Sequence, residues 1–146
     1  SLASSRLSRI SVIIWLLFWA MTLTMVQRNV VYRFLTNDIS NRNILHQIFP
    51  EKFDSSTCII CNDAPKSTFH MLFFCPIKYS AWQAIILEFL WPTYTVQNNL
   101  TALQKLDFNL VSHSHKDGIK SSMVILITLS QIWKSHFRSI FDGLPF

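Results

Sequence analysis

The chain has 146 residues, half of them hydrophobic, which is about the usual size of a single domain that buries its own core. Only 14% of the residues are charged and only two are glycine, so the composition excludes an intrinsically disordered chain. The formal net charge of +5 and the pI near 9.4 favour a polyanionic partner, either nucleic acid or an anionic membrane surface.

The first predicted element is a hydrophobic N-terminal helix, assigned to residues 1–27. The helical pattern extends from about Leu7 to Phe34, with a break predicted at residues 27–29, and the stretch 10–26 is apolar except for three hydroxyl side chains. That stretch is shorter than the roughly 20 apolar residues of a membrane-spanning helix. We therefore favour a buried core helix and keep a transmembrane anchor at 10–26 as the alternative.

Residues 28–92 contain further predicted helices on either side of a cysteine-rich segment. Ser40 can cap a short helix that Pro50 ends, and Pro76 is well placed as the first residue of an amphipathic helix that stops at Pro92. The expected buried positions are Val30, Val31, Phe34 and Leu35 before the cysteines, and Ile77, Ala81, Trp82, Ile85, Ile86, Phe89 and Leu90 after them.

Residues 93–146 are predicted to form a linker and a C-terminal amphipathic helix that belong to the same domain. Leucines between Leu100 and Leu106 indicate one short helix in the linker, and the final helix is predicted from about Ile119 to Phe141. Its predicted buried side comprises Met123, Leu126, Ile127, Trp133, Phe137, Ile140 and Phe141.

The strongest pattern in the chain is C-x2-C-x8-H-x4-C, formed by Cys58, Cys61, His70 and Cys75. A two-residue gap lets a tight turn point two thiolates at one ion, and four ligands complete a tetrahedral zinc site without an open position. The alternative is that the cysteines are simply small buried hydrophobes. Because three cysteines lie within 18 residues, a metal site in a reducing compartment, the nucleus or cytoplasm, fits better than disulfides. We expect a mostly α fold, a small helical domain organised around one structural Zn²⁺ knuckle.

The neighbours of this pattern have expected roles of their own. Ser67 or Thr68 is expected to cap the turn that carries His70. Three thiolates and one Zn²⁺ leave a formal charge of minus one, which the nearby lysines are expected to offset in part. These lysines are Lys52, Lys66 and Lys78. His46 and His136 belong to no ligand pattern and are treated as incidental.

The segment from Phe53 to Trp82, with its C-x2-C, its H-M-L-F-F-C-P run and the tryptophan that follows, resembles the zinc-binding domain of non-LTR, LINE-type retrotransposon reverse transcriptases. Residues 31–35 and 40–45 upstream and 132–134 downstream are similar to the family's flanking helices. The resemblance implies a noncatalytic zinc finger module that follows the polymerase in a polyprotein and engages element RNA or target DNA. The chain begins at Ser1, and we expect it to be a fragment of a longer reading frame.

No enzyme activity is expected from this chain itself, because its eight acidic residues show no two-metal spacing and it has no P-loop. The predicted function is therefore nucleic-acid engagement on behalf of the parent reverse transcriptase domains. The alternatives are a membrane-associated protein anchored by 10–26 and a structural protein-interaction domain. The basic residues predicted to contact nucleic acid are Arg28, Arg33, Arg42, Lys66, Lys134 and Arg138.

Overall fold

The computed structural model describes residues 10–36, 58, 60–61, 67–91, 93–108, 118–143 and 145–146. Helix α1 spans Val12–Ala20, α2 spans Met25–Thr36, α3 spans Pro76–Phe89, α4 spans Val96–Lys105 and α5 spans Ser121–Asp142. A π-helical turn, named the π-turn below, spans His70–Phe74. Since none of the described residues forms a β-strand, the mostly α prediction is confirmed. The short helix predicted between Ser40 and Pro50 lies outside the described residues.

The N-terminal helical region is divided earlier than the sequence pattern indicates. Helix α1 ends at Ala20 and α2 begins at Met25, so the break predicted at residues 27–29 is wrong. The cause is a capping box, in which the Gln27 backbone N–H donates to the Thr24 hydroxyl at 3.1 Å and the Thr24 N–H donates to the Gln27 side chain at 2.9 Å. This reciprocal pair satisfies N–H groups that a helix start leaves without partners, and it therefore favours a new helix here.

The hydrophobic stretch 10–26 is thus shared between two helices and does not form one. Helix α1 has nine residues, a length of about 14 Å. Among the described residues, no helix is both long enough and apolar enough to cross a bilayer. The transmembrane anchor that was kept as the alternative for 10–26 is therefore corrected. The favoured prediction of a buried core helix is wrong as well, because Phe18 is the only buried residue of α1.

Helix α5 lies at the centre of the core and contacts α2, α3, α4 and the π-turn. Of its predicted buried residues only Leu126 is buried, whereas Ile127 and Phe141 are exposed. The side that faces the core instead carries Ile125, Leu126, Leu129 and Ile132, together with Ser121, Ser130 and His136. Because α5 is apolar on more than one side, its periodicity alone does not determine which side the other helices cover.

Helices α2 and α3 follow the predicted burial more closely. In α2, Val30, Val31, Phe34 and Leu35 are all buried, as expected from their spacing. Helix α3 begins at Pro76, as predicted. Its buried residues are Lys78, Trp82 and Ile86, with Leu90 directly after the helix, while Ile77 is 46% exposed. The first turn of α3 therefore turns Lys78 toward the core, whereas the sequence pattern predicted that Ile77 would be buried.

Helix α4 confirms the short helix predicted in the linker, and it contains one poorly satisfied residue. Asn99 is completely buried, and neither its amide nitrogen nor its amide oxygen has a hydrogen-bond partner among the described residues. A buried polar group without a partner costs about 1–3 kcal/mol. The amide of Asn99 therefore destabilises the core that surrounds it.

Replacement of Asn99 by Leu, which has the same branching, is expected to raise the free energy of unfolding by about 1–3 kcal/mol, because the desolvated amide is removed. Chemical denaturation followed by circular dichroism measures this change. The control is Gln97→Leu, at an exposed position of the same helix, which is expected to change stability by less than about 0.5 kcal/mol. A less stable Asn99→Leu variant would contradict the prediction.

Candidate metal centre

The structure brings the four predicted ligands, Cys58, Cys61, His70 and Cys75, into one cluster. The three Sγ atoms and one ring nitrogen of His70 all lie within 4.8 Å of one another, and Cys61 Sγ is 3.3 Å from His70 Nε2. In a tetrahedral zinc site, neighbouring ligand atoms are about 3.6–3.8 Å apart. The cluster can therefore hold a metal ion with ligand shifts of about 1 Å or less.

The two halves of the cluster differ in exposure. Cys58 and Cys75 are buried, whereas Cys61 and His70 are partly exposed. A bound ion would therefore have a closed inner side, formed by two thiolates, and an outer side near solvent. Four protein ligands leave no position for a substrate or a reactive water, which is the arrangement of a structural site.

The π-turn places His70 and Cys75 on the same side of the chain. The Cys75 backbone N–H donates to the His70 carbonyl oxygen at 2.8 Å, the i to i+5 hydrogen bond that defines a π-helix. In a regular α-helix, side chains five residues apart point about 140° away from each other. The wider turn removes most of that angle, and it explains how an H-x4-C spacing can serve one ion. The Ser67 hydroxyl accepts a hydrogen bond from the His70 N–H at 3.1 Å, so the predicted Ser67 cap is confirmed.

Trp82 of α3 attaches the π-turn to the core. Its indole N–H donates to the Leu72 carbonyl oxygen at 2.8 Å, and its ring stacks on Phe73 with centroids 5.1 Å apart and an interplanar angle of 8°. Phe34 of α2 also packs against Phe73, with ring centroids 5.8 Å apart. Trp82, Phe73 and Phe34 are all buried. The segment that carries two of the ligands is therefore held from two helices.

Electrostatics link the thiols to one lysine. Burial raises the pKa of the Cys75 thiol, while Lys78 and the Ile77 backbone N–H lower it and the Cys58 and Cys61 thiols raise it. Burial likewise lowers the pKa of Lys78, and the same three thiols oppose that shift. A metal ion has to displace the proton of Cys75 in order to bind, and Lys78 favours that deprotonated state.

Three lysines were expected to offset the negative charge of the site, and one of them lies among the described residues. Lys78 is completely buried and acts on Cys75, whereas Lys52 and Lys66 lie outside the described residues. Its Nζ lies 2.9 Å from Nδ1 of His136, which is also completely buried. His136 is 58 positions away in the chain and belongs to no motif, so the sequence carried no signal for this contact.

The predicted nucleic-acid contacts are only partly available. Arg33, Lys134 and Arg138 are exposed, and Arg42 and Lys66 lie outside the described residues. Arg28 is partly buried, donates from Nη2 to the Met21 carbonyl oxygen at 3.0 Å and lies 5.5 Å above the Trp19 ring. Its guanidinium is engaged at the junction of α1 and α2, which makes it a poorer phosphate ligand than the three exposed residues.

Comparisons of the chain with protein-family models, with curated proteins and with solved structures found no match. The resemblance to the reverse transcriptase zinc-binding domain therefore stays a prediction that depends on the ligand block and the residues around it.

Proposed function

We propose that this chain is a noncatalytic module that binds one structural Zn²⁺ and helps a retrotransposon reverse transcriptase engage its element RNA or its target DNA. The observation that supports it most strongly is the Cys3His cluster on a capped π-turn. Thiolate and imidazole ligands suit Zn²⁺, whereas Ca²⁺ and Mg²⁺ prefer oxygen ligands. The closed set of four ligands supports a structural role for the ion and not a catalytic one.

The metal content of the purified wild-type chain tests the first half of this proposal. Elemental analysis is expected to find one equivalent of zinc, and replacement by Co²⁺ is expected to produce the absorption bands of a tetrahedral thiolate site. A chain that is folded, free of metal and unaffected by a chelator would overturn the zinc assignment.

The nucleic-acid half of the proposal is supported by the net charge of +5 and by exposed basic side chains. Lys134 and Arg138 are both exposed and lie four residues apart on α5, so they project from the same side of the helix. Two neighbouring cations on one helix side can each neutralise a phosphate and release its counterion.

The double substitution Lys134→Gln with Arg138→Gln is expected to weaken RNA binding and to reduce its salt dependence. Each lost phosphate contact on single-stranded RNA lowers the slope of log K against log salt by about 0.7, so the expected reduction is about 1.4. Fluorescence anisotropy across a salt series measures it. The control is Lys105→Gln with Lys120→Gln, which removes the same charge from other exposed positions. Equal effects of the two double variants would contradict a contact at α5.

A second candidate function, a structural protein-interaction domain, is favoured by the exposed apolar side of α1. Val12, Ile13, Leu16 and Leu17 are 74%, 71%, 63% and 61% exposed. Contiguous apolar surface of this kind commonly marks a contact with a partner. This candidate predicts that the isolated chain is poorly soluble and that co-expression with an upstream polymerase domain relieves the defect.

A further inference from the structure

Lys78 is an unusual residue for the position that it occupies. It lies in the first turn of α3, three residues after Cys75, and its side chain is completely buried. Lysine is almost never fully buried unless its charge is paired. Its ammonium lies 2.9 Å from His136 Nδ1 and 5.2 Å from the centroid of the Phe146 ring. Neither partner carries a negative charge.

Cys75 is the N-cap residue of α3 and Lys78 is the third residue of that helix, so their side chains lie on the same side of its first turn, and both are completely buried. Three thiolates, a neutral histidine and one Zn²⁺ carry a net charge of minus one, and a single ammonium brings the sum to zero. A buried anion and a buried cation side by side are each less costly than either would be alone. The burial of Lys78 therefore has an explanation when the cluster holds a metal.

His136 explains how the ammonium is held in place. An ammonium offers three donors and no acceptor, so Lys78 donates the hydrogen bond to Nδ1 of His136. His136 belongs to α5, the helix that contacts α2, α3, α4 and the π-turn. Through this contact α5 sets the position of the lysine. The ring of Phe146 also packs against the ammonium.

We propose that Lys78 is a positioning residue of the metal centre, whose ammonium, held by His136, neutralises the zinc–thiolate cluster and tightens its hold on zinc. This inference rests on the zinc binding proposed above. Its chemistry is that of an outer partner of the ligands, and loss of such partners typically weakens metal affinity by about 10–100-fold.

The test compares zinc dissociation constants of the full chain, measured by competition with a chromogenic chelator. Lys78→Met keeps the length of the side chain and removes its charge, and it is expected to weaken zinc binding by about 10–100-fold. Lys78→Arg keeps the charge and is expected to restore part of the loss. Lys105→Met, at an exposed lysine of α4, is the matched control and is expected to leave the affinity unchanged.

A second readout separates charge from packing. Zinc-bound thiolates should react faster with iodoacetamide in Lys78→Met than in Lys78→Arg, because only the first variant leaves their negative charge uncompensated. A packing defect alone would not make the alkylation rates of the two variants differ in this way. His136→Leu removes the acceptor of the ammonium without touching Lys78, and we expect it to weaken zinc binding by several-fold. If Lys78→Met does not fold, the zinc affinity of His136→Leu tests the proposal in its place.

The outcomes distinguish the two proposals. A wild type that binds zinc, together with Lys78→Met and His136→Leu variants of equal affinity, overturns the role of Lys78 alone. Equal losses in Lys78→Met and Lys78→Arg, with unchanged alkylation rates, assign the residue to packing and also overturn it. A wild type that binds no zinc overturns the proposed zinc function, and the inference fails with it.

Discussion

Substitution of Cys61 by Ser or of His70 by Ala is expected to abolish stoichiometric zinc binding and to unfold the segment around the π-turn. Structural zinc sites in finger-like peptides supply on the order of 10 kcal/mol or more of apparent folding free energy, and whole domains are stable by only about 5–15 kcal/mol. The free energy lost with one of the four ligands is therefore comparable to the stability of the whole domain. Elemental analysis measures the metal, and circular dichroism measures the loss of helix.

Two comparisons make this result specific to the metal. The chelator-treated wild type is expected to resemble both variants, because all three lack the ion. Ser80→Ala, at an exposed position of α3 close to the site, is expected to keep one equivalent of zinc and the wild-type spectrum. Variants that lose zinc yet unfold at the wild-type denaturant concentration would show that the cluster does not stabilise the domain.

Substitution of Trp82 by Ala is expected to be the most damaging change outside the ligands. Deletion of a buried Trp typically costs about 3–5 kcal/mol, and the Leu72 carbonyl left without its donor adds about 1–3 kcal/mol. Because Leu72 belongs to the same π-turn as His70, the variant is also expected to bind zinc more weakly. Urea denaturation of the zinc-loaded chain measures the first effect and chelator competition the second.

A conservative variant and a control divide this effect into its parts. Trp82→Phe keeps an aromatic ring against Phe73 but has no N–H group, so it is expected to cost about 1–3 kcal/mol. Trp91→Ala removes a tryptophan that is 46% exposed and is expected to cost far less than Trp82→Ala. If Trp91→Ala and Trp82→Ala had equal effects, the structural importance assigned to Trp82 would be contradicted.

The Cys3His cluster was predictable because its four residues are close together in the sequence. Cys58, Cys61, His70 and Cys75 lie within 18 residues, and the spacing itself restricts which side chains can reach one ion. The start of α3 at Pro76 and the Ser67 cap were likewise predictable, since helix starts depend on the residue at the start and on its immediate neighbours. The break before α2 also has a local signal, the T-x-x-Q of residues 24–27, which the long apolar run obscured.

By itself, then, the sequence determined the helical class, the Cys3His cluster and the start of α3, because these depend on residues that are near one another in the chain. Only the tertiary structure decided which side of α5 is covered, because α5 offers apolar side chains in more than one direction. It alone buried Lys78 and placed it against His136, 58 residues away. A contact between such distant positions depends on how the helices pack, and no local spacing encodes it.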